Sequence, residues 1–356
     1  MEKHLGSIQE VRAKATDHVP ATGGCTEVKA SCQRVAPIAV IIPAYNYGRF
    51  LPFALGSILA QTVRPAEVLV VDDGSTDDTR EVCRRYPGVR YAWKPNGGLC
   101  SARNMGLRLT TAPFVMFLDP DDLLKCHALE TLWAAWRYLG QDVGTVFARS
   151  ELLWEVDSPD RLKVHEVPDP HDVARYISHR FTPSLALLDK RIVYRLLRGS
   201  ILPVCSTLVR REVFMHCGCF DEAIRTMEDY EIWLRVASRY RFAYIDDRVA
   251  VYRKHDAGFT SSANWVKNHR SILYVLQKTY RSRWANCDLR HLAWRYFSGT
   301  AYHLGSRLID NHQWTEAAGA LWLSVRHDPC RLKSWLKLGL CLARVGQARL
   351  RAALSR

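Results

Sequence analysis

The chain has no run of eighteen or more apolar residues, so no segment reads as a membrane-spanning helix. Its opening residues, MEKHLGSIQEVRAKATDHVP, also lack the apolar stretch of roughly 7–15 residues that a secretory signal needs. The expectation is a cytoplasmic protein without leader or anchor. The eleven cysteines are scattered and odd in number, which suits free thiols in a reducing compartment better than a disulfide framework. Phosphate cradles are missing as well. GxxxxGK[ST] does not occur, and Gly97, Gly98 and Gly106 do not fit GxGxxG, which argues against a P-loop enzyme and a dinucleotide oxidoreductase. No helix-turn-helix, ribonucleoprotein or zinc-finger signature is present, so nucleic acid is not the expected partner.

What is present is 356 residues with an apolar share of 48%, enough to bury a sizeable core in two domains or in one with an appendage. The net charge of +14 is uneven: from Ala263 onward there are sixteen Lys and Arg against four Asp and Glu, and the rest is nearly neutral. This division predicts a globular unit followed by a basic helical tail. A basic tail suits an anionic partner, such as an acidic membrane surface or a phosphorylated ligand, and equally a well-solvated helical surface with no partner.

Residues 1 to about 36 show no periodicity and read as an irregular arm. The β-branched run Ile38 to Ile42, closed by Pro43, predicts a fully buried strand. Helical spacing follows over 50–61, a second buried run over 68–71, a helix over 79–85 capped by Thr76, a weak strand over 89–93, a helix over 98–109 and a buried run over 114–118. This alternation indicates βαβ units and a parallel sheet. Two strands end in acidic clusters, Asp72-Asp73 and Asp119-Pro120-Asp121-Asp122, at the edge where open parallel sheets bind ligands. Carboxylates gathered there repel unless a cation lies between them, and a divalent metal is the simplest candidate. The alternation weakens over 151–200 and resumes with a strand over 204–209. A helix over 230–238 follows, opened by Glu228-Asp229, whose charges also suit a helix N-terminus.

The motifs VIIPAYNYGRFL at 40–51, VLVVDDGSTDDT at 68–79, NGGLCSARNMGL at 96–107, FLDPDD at 117–122, GCFDE at 218–222, MEDYEIWLR at 227–235 and YRKHDAGFT at 252–260 together resemble the inverting glycosyltransferases of family 2. The resemblance implies a GT-A, Rossmann-like α/β fold with a mostly parallel sheet flanked by helices over residues 37–262, followed by an α-helical extension over 263–356. It implies that Pro43, Ala44 and Tyr45 wall the base pocket, with a core tyrosine as the alternative for Tyr45. Asp73 would accept from a base N–H while Asp72 holds the turn, and Arg103 would sit near the diphosphate or ribose unless it is a surface arginine. Asp119 and Asp121 become a DxD pair, Asp121 the metal ligand and Asp119 nearer the ribose, for Mn²⁺ or Mg²⁺. Asp122 reads as a helix cap. His255 matches a further metal or diphosphate contact, or a structural histidine, with Arg253 and Lys254 beside it.

By the same resemblance the catalytic base belongs to the Glu228-Asp229 pair; Asp229 is chosen, and the sequence leaves an exchange with Glu228 open. Trp233 is expected in the core, with lining of the acceptor side as the alternative. The implied partners are a nucleotide-diphosphate sugar donor and a glycan or lipid-linked glycan acceptor, in bacterial surface polysaccharide or glycolipid assembly. Residues 303–329 resemble one tetratricopeptide repeat, too few to stand alone. Lysines and arginines beside Trp335, Leu336, Leu338 and Leu340 permit an interfacial helix at the inner face of the cytoplasmic membrane. Two other classes remain: a nucleotidyltransferase, whose glycine-rich triphosphate loop PAYNYGRF does not supply, and an inactive scaffold acting through its helical tail.

Overall fold

A computed structural model describes residues 34–155, 162–166, 173–254 and 264–354. The first buried run lies inside β1 (Val35–Ala44), so residues 35 and 36, expected in the arm, already belong to the sheet. The arm before them lies outside the described residues. After α1 (Leu51–Leu59), β2 (Arg64–Asp72) pairs with β1 in parallel. After α2 (Thr79–Arg84), β3 (Arg90–Trp93) pairs in parallel with β2. After α3 (Leu99–Leu109), β4 (Phe114–Phe117) joins the other side of β1 in parallel. Shared direction brings the carboxyl ends of β1, β2 and β4 to one edge. The helix α3 lies directly on β1 because residue 106 is glycine: a Cβ there would stand 2.3 Å from Ile41 Cγ2.

The chain then adds β5 (Leu123–Leu124), α4 (Ala128–Ala134), β6 (Val143–Glu155), β7 (Leu162–Glu166), β8 (Ile177–Arg180), β9 (Leu185–Leu188) and α5 (Ile192–Leu196). It continues through β10 (Thr207–Arg210), α6 (Arg211–Cys217), α7 (Glu228–Arg239) and β11 (Arg241–Lys254). The sheet order is β3-β2-β1-β4-β10-β6-β11-β9-β8, with β5 on β11 and β7 on β6. In this half the sheet is mixed: β10 runs antiparallel to β4 and β6, whereas β6 and β11 are parallel. The strand expected at 204–209 begins with a 3₁₀ turn, Val204–Ser206, before β10. The long strands β6 and β11 escape a reading by alternation. In β11 the pattern breaks at Asp246-Asp247-Arg248, where its register against β6 shifts.

Four helices form the extension: α8 (Trp265–Arg281), α9 (Cys287–Asp310), α10 (Trp314–His327) and α11 (Leu332–Leu354). They pack successively, joined by short connections. One hydrophobic core runs from Ile41 and Phe117 of the sheet through Tyr230 and Trp233 of α7 to Leu273, Phe297, Leu321 and Leu338 of these helices. A second covers the opposite sheet face, with Ile42, Leu55, Val70 and Leu129. Polar ties add to the first. Lys278 of α8 reaches Asp221 Oδ2 at 2.6 Å and Glu231 Oε1 at 2.8 Å, and Arg198 Nε donates to the Tyr296 hydroxyl at 2.9 Å. The helices are therefore fastened to the sheet unit. Trp233 is buried, in keeping with a core role.

Candidate active site

At the end of β1, Pro43 and Ala44 are buried and the next side chain, Tyr45, is 47% exposed, an aromatic face open to a ligand. Backbone bonding fixes this edge: Asp73 N–H donates to Ala44 O at 2.8 Å, and Asn46, held at φ 58°, accepts from Thr76 N–H at 2.8 Å. Asp72 holds its turn, accepting from Ser75 N–H at 2.8 Å and from the Tyr91 hydroxyl at 2.5 Å. Thr76 does not cap the following helix; its N-cap is Asp78, without a side-chain bond, and the preceding Asp77 takes Thr79 N–H at 3.1 Å.

Asp73 has a partner set the sequence did not suggest. Its Oδ1 accepts from Lys94 Nζ at 2.5 Å and Gly97 N–H at 3.0 Å, and its Oδ2 from Gly98 N–H at 2.7 Å. Gly98 reaches that carboxylate with φ at +91°, a conformation glycine adopts without strain. With its side chain only 4% exposed, Asp73 organises the 94–98 loop at the sheet edge.

Arg103 is not a surface residue. Its side chain is 1% exposed, inside the molecule between two carboxylates: Nη2 lies 2.8 Å from Asp119 Oδ1 and Nη1 2.6 Å from Glu228 Oε1. Phe117 and Phe220 border the guanidinium, its carbon 5.7 and 5.4 Å from their ring centres. Its Nε is buried without a partner among the described residues. Burial of a lone guanidinium is costly, so two charge-assisted bonds are what allow it to sit there. The cation that the sequence assigned to a metal between acidic strand ends is thus supplied in part by the chain itself, by Arg103 and Lys94.

Around FLDPDD the charge remains crowded. Asp119 and Asp121 are half-buried, and Asp122 is buried. Burial and the charges of Asp121 and Asp119 hold the Asp122 carboxyl well above the usual range, and burial with the same acids pushes the Tyr47 hydroxyl up. Asp122 caps no helix. It accepts from Arg253 N–H of β11 at 3.0 Å, and Arg253 Nε donates to Asp121 O at 3.1 Å, which seats β11 against the acidic turn. The hard oxygens of Asp119 and Asp121, in a patch of excess negative charge, fit Mg²⁺ or Mn²⁺, ions held by one or two carboxylates while phosphate and water complete the shell. Among the described residues no three His, Cys, Asp or Glu side chains converge as a metal cluster. His255 lies outside the described residues.

The two members of the acidic pair opening α7 differ. Glu228 is buried and paired with Arg103, whereas Asp229 is half-buried, with the Ser200 hydroxyl nearby, which itself donates to Leu202 O at 3.4 Å. Burial, and next the neighbouring Glu228 charge, raise Asp229 from 3.8 to about 6. Met227, just before them, is held at φ 65°, an unfavourable conformation for a side-chain-bearing residue and one that sets the direction in which α7 starts. The structure therefore links Arg103, Asp119 and Glu228 directly and leaves Asp229 adjoining them. Sequence reasoning missed Tyr47, Lys94 and Ser200. The first two lie in or beside quoted motifs, but Ser200 falls in a stretch without any signal.

Comparison with known proteins agrees with this fold. The family model described as Glycosyl transferase family 2 matches residues 39–215. An uncharacterized glycosyltransferase of Rickettsia typhi is 31% identical over 241 residues, 66% of this chain and 70% of that one. Several longer relatives are matched over less than half of their length. Among solved structures, S. aureus TarS 1–349 in complex with UDP-GlcNAc aligns with a TM-score of 0.57 at 18% identity, over 87% of this chain and 92% of that one. The mannosyltransferase PcManGT of Pyrobaculum calidifontis, in complex with GDP-Man and Mn²⁺, aligns at 0.52 and 19%, over 96% and 89%. With the family-model match, the glycosyltransferase relatives and the shared fold, the chain belongs to the family 2 glycosyl transferases.

Proposed function

We propose that the protein is a metal-dependent inverting glycosyltransferase, moving a sugar from a nucleotide diphosphate to an acceptor hydroxyl with Asp229 as the base. The observation that carries this reading is the division of the acidic pair by Arg103. Glu228 is committed to a buried ion pair, whereas Asp229 faces no guanidinium at bonding distance among the described residues, and burial raises its carboxyl to about 6. A base poised near neutrality suits removal of a hydroxyl proton as the oxygen attacks the anomeric carbon. Inversion follows from a single displacement, in which the bond to the leaving diphosphate breaks as the acceptor bond forms on the opposite face.

On the donor side, Tyr45 offers a stacking face above Pro43 and Ala44. Asp73 supports the base both as an acceptor and through the 94–98 loop. Arg103 fixes Asp119 toward the ribose. Asp119 and Asp121 would hold the divalent ion, with His255 as a further contact, and the chemistry such an ion supplies is neutralisation of charge on the departing diphosphate. The acceptor we assign is a hydroxyl of a glycan or lipid-linked glycan at the cytoplasmic face, in surface polysaccharide or glycolipid assembly. The basic helical extension supports that placement. The test is calorimetric binding of UDP, GDP, dTDP and CMP with and without Mn²⁺, on wild type and Asp121→Ala. One nucleotide diphosphate should bind in a metal-dependent manner that the substitution removes; no binding of any of the four would refute the reading.

A further inference from the structure

The last helix, α11, is apolar on two opposite sides. Ser334, Leu338 and Cys341 are buried, with Ser334 2.8 Å from the Ser324 hydroxyl of α10 and the other two in the main core. Leu332, Trp335, Leu336, Leu340 and Leu342 are 46–75% exposed. At 3.6 residues per turn Leu332, Leu336 and Leu340 turn away from the buried three, Trp335 and Leu342 widen that side to about 160° of the helix, and the five form a broad stripe about 15 Å long. Leu338, which the sequence groups with Trp335, Leu336 and Leu340, belongs instead to the core. Single exposed leucines are ordinary, but five large apolar side chains in one stripe mark an interaction surface. The only polar atom of the Trp335 side chain is satisfied internally, Nε1 donating to Pro329 O at 2.9 Å.

Charge indicates what covers the stripe. After Asp328 the chain carries seven lysines and arginines and no acidic residue. Lys333 and Arg344 are exposed on α11 itself. A helix that is apolar on its outer side, carries a tryptophan and is wholly cationic matches the boundary between acyl chains and anionic headgroups. We propose that α11 docks on an anionic lipid bilayer, burying Leu332, Trp335, Leu336, Leu340 and Leu342 while Lys333 and Arg344 meet the headgroup phosphates; Lys337 is turned inward to the Ser306 hydroxyl at 2.9 Å. Because α8 to α10 fasten α11 to the sheet unit, this contact also orients the catalytic edge relative to the membrane. It rests on the glycosyltransferase reading only for its purpose, since lipid binding is measured without the reaction.

The experiment is flotation of the full chain with vesicles of phosphatidylcholine alone or mixed with phosphatidylglycerol, at low and high salt. The chain should float with the anionic vesicles and be released by salt, and L336E/L340E should partition about tenfold less. Equal recovery with both lipids, no recovery with either, or unchanged flotation of L336E/L340E overturns the proposal. So does a wild-type dimer, seen by sedimentation velocity, that L336E/L340E converts to monomer, because a second copy would then cover the stripe. If L336E/L340E melts non-cooperatively, Lys333→Glu replaces it, and undiminished anionic partition of that variant counts against the bilayer. Nucleotide calorimetry on the same samples reports separately on the catalytic reading.

Discussion

Arg103 shows how one buried side chain divides the work of two neighbouring acids. By taking Glu228 into a buried ion pair, it leaves Asp229 beside a fixed negative charge, and that charge together with burial raises the Asp229 carboxyl to about 6. As a base, Asp229 acts only when ionised, so kcat/KM should fall as pH drops through about 6. Asp229→Asn should lose roughly 10²–10⁴-fold in kcat while nucleotide binding by calorimetry is kept. Stability runs the other way. A carboxyl whose folded value lies above its unfolded 3.8 contributes stability that is fully present below 3.8 and lost as pH rises through about 6. Asp229→Asn should therefore melt above wild type at pH 7–8, an advantage that vanishes below about pH 4. An acid limb unchanged in Glu228→Gln, from which the neighbouring charge is gone, would count against this account of the pair.

At the level of elements, α3 positions Arg103, and it can do so only because Gly106 lets the helix lie directly against Ile41 of β1. Gly106→Ala puts a methyl where an isoleucine methyl already stands, so either α3 lifts or Ile41 leaves its rotamer. A cost of about 1–3 kcal/mol is expected, read as a melting temperature several degrees lower. Displacement of α3 should also weaken nucleotide binding; a variant with wild-type melting and affinity would show that β1 yields freely. What the sequence disclosed follows the range of each interaction. The strands around Ile38 to Ile42 and Val68 to Val71, and the acids that end them, are written in local runs and were legible. Glu228, one of the two partners of Arg103, is 125 residues away, and Asp122 meets the Arg253 amide across 131, so neither an arginine inside a helix nor a spare aspartate could be assigned from its neighbourhood. β6 and β11 stayed hidden for the same reason. Their stability comes from pairing with one another, and charged residues interrupt both.

In the whole molecule, the boundary near residue 263 separates charge but not hydrophobic packing. Tyr230, Trp233 and Phe220 share one core with Leu273, Leu276, Phe297 and Leu304, so removing the extension would bare the outer side of α7, the helix that carries the candidate base. It would also remove Lys278, leaving Asp221 without its Lys278 bridge and Glu231 with Arg235 alone at 2.6 Å. The Lys278–Asp221 pair is partly exposed, 31% and 21%, so its loss costs about 1 kcal/mol, and the bared apolar side of α7 weighs more against the roughly 5–15 kcal/mol by which a native domain is stable. The full chain should accordingly unfold in one cooperative calorimetric transition, and a chain ended at residue 262 should fail to do so, aggregating or binding a hydrophobic dye. Two separate transitions in the full chain, or a cooperative melt with retained nucleotide binding in the shortened one, would instead make the helices an independent module. Lys278→Met distinguishes the contributions, since it keeps most of the apolar contact and removes the charge. A single transition at lower temperature is the expected result, because packing joins the two parts and Lys278 adds to it.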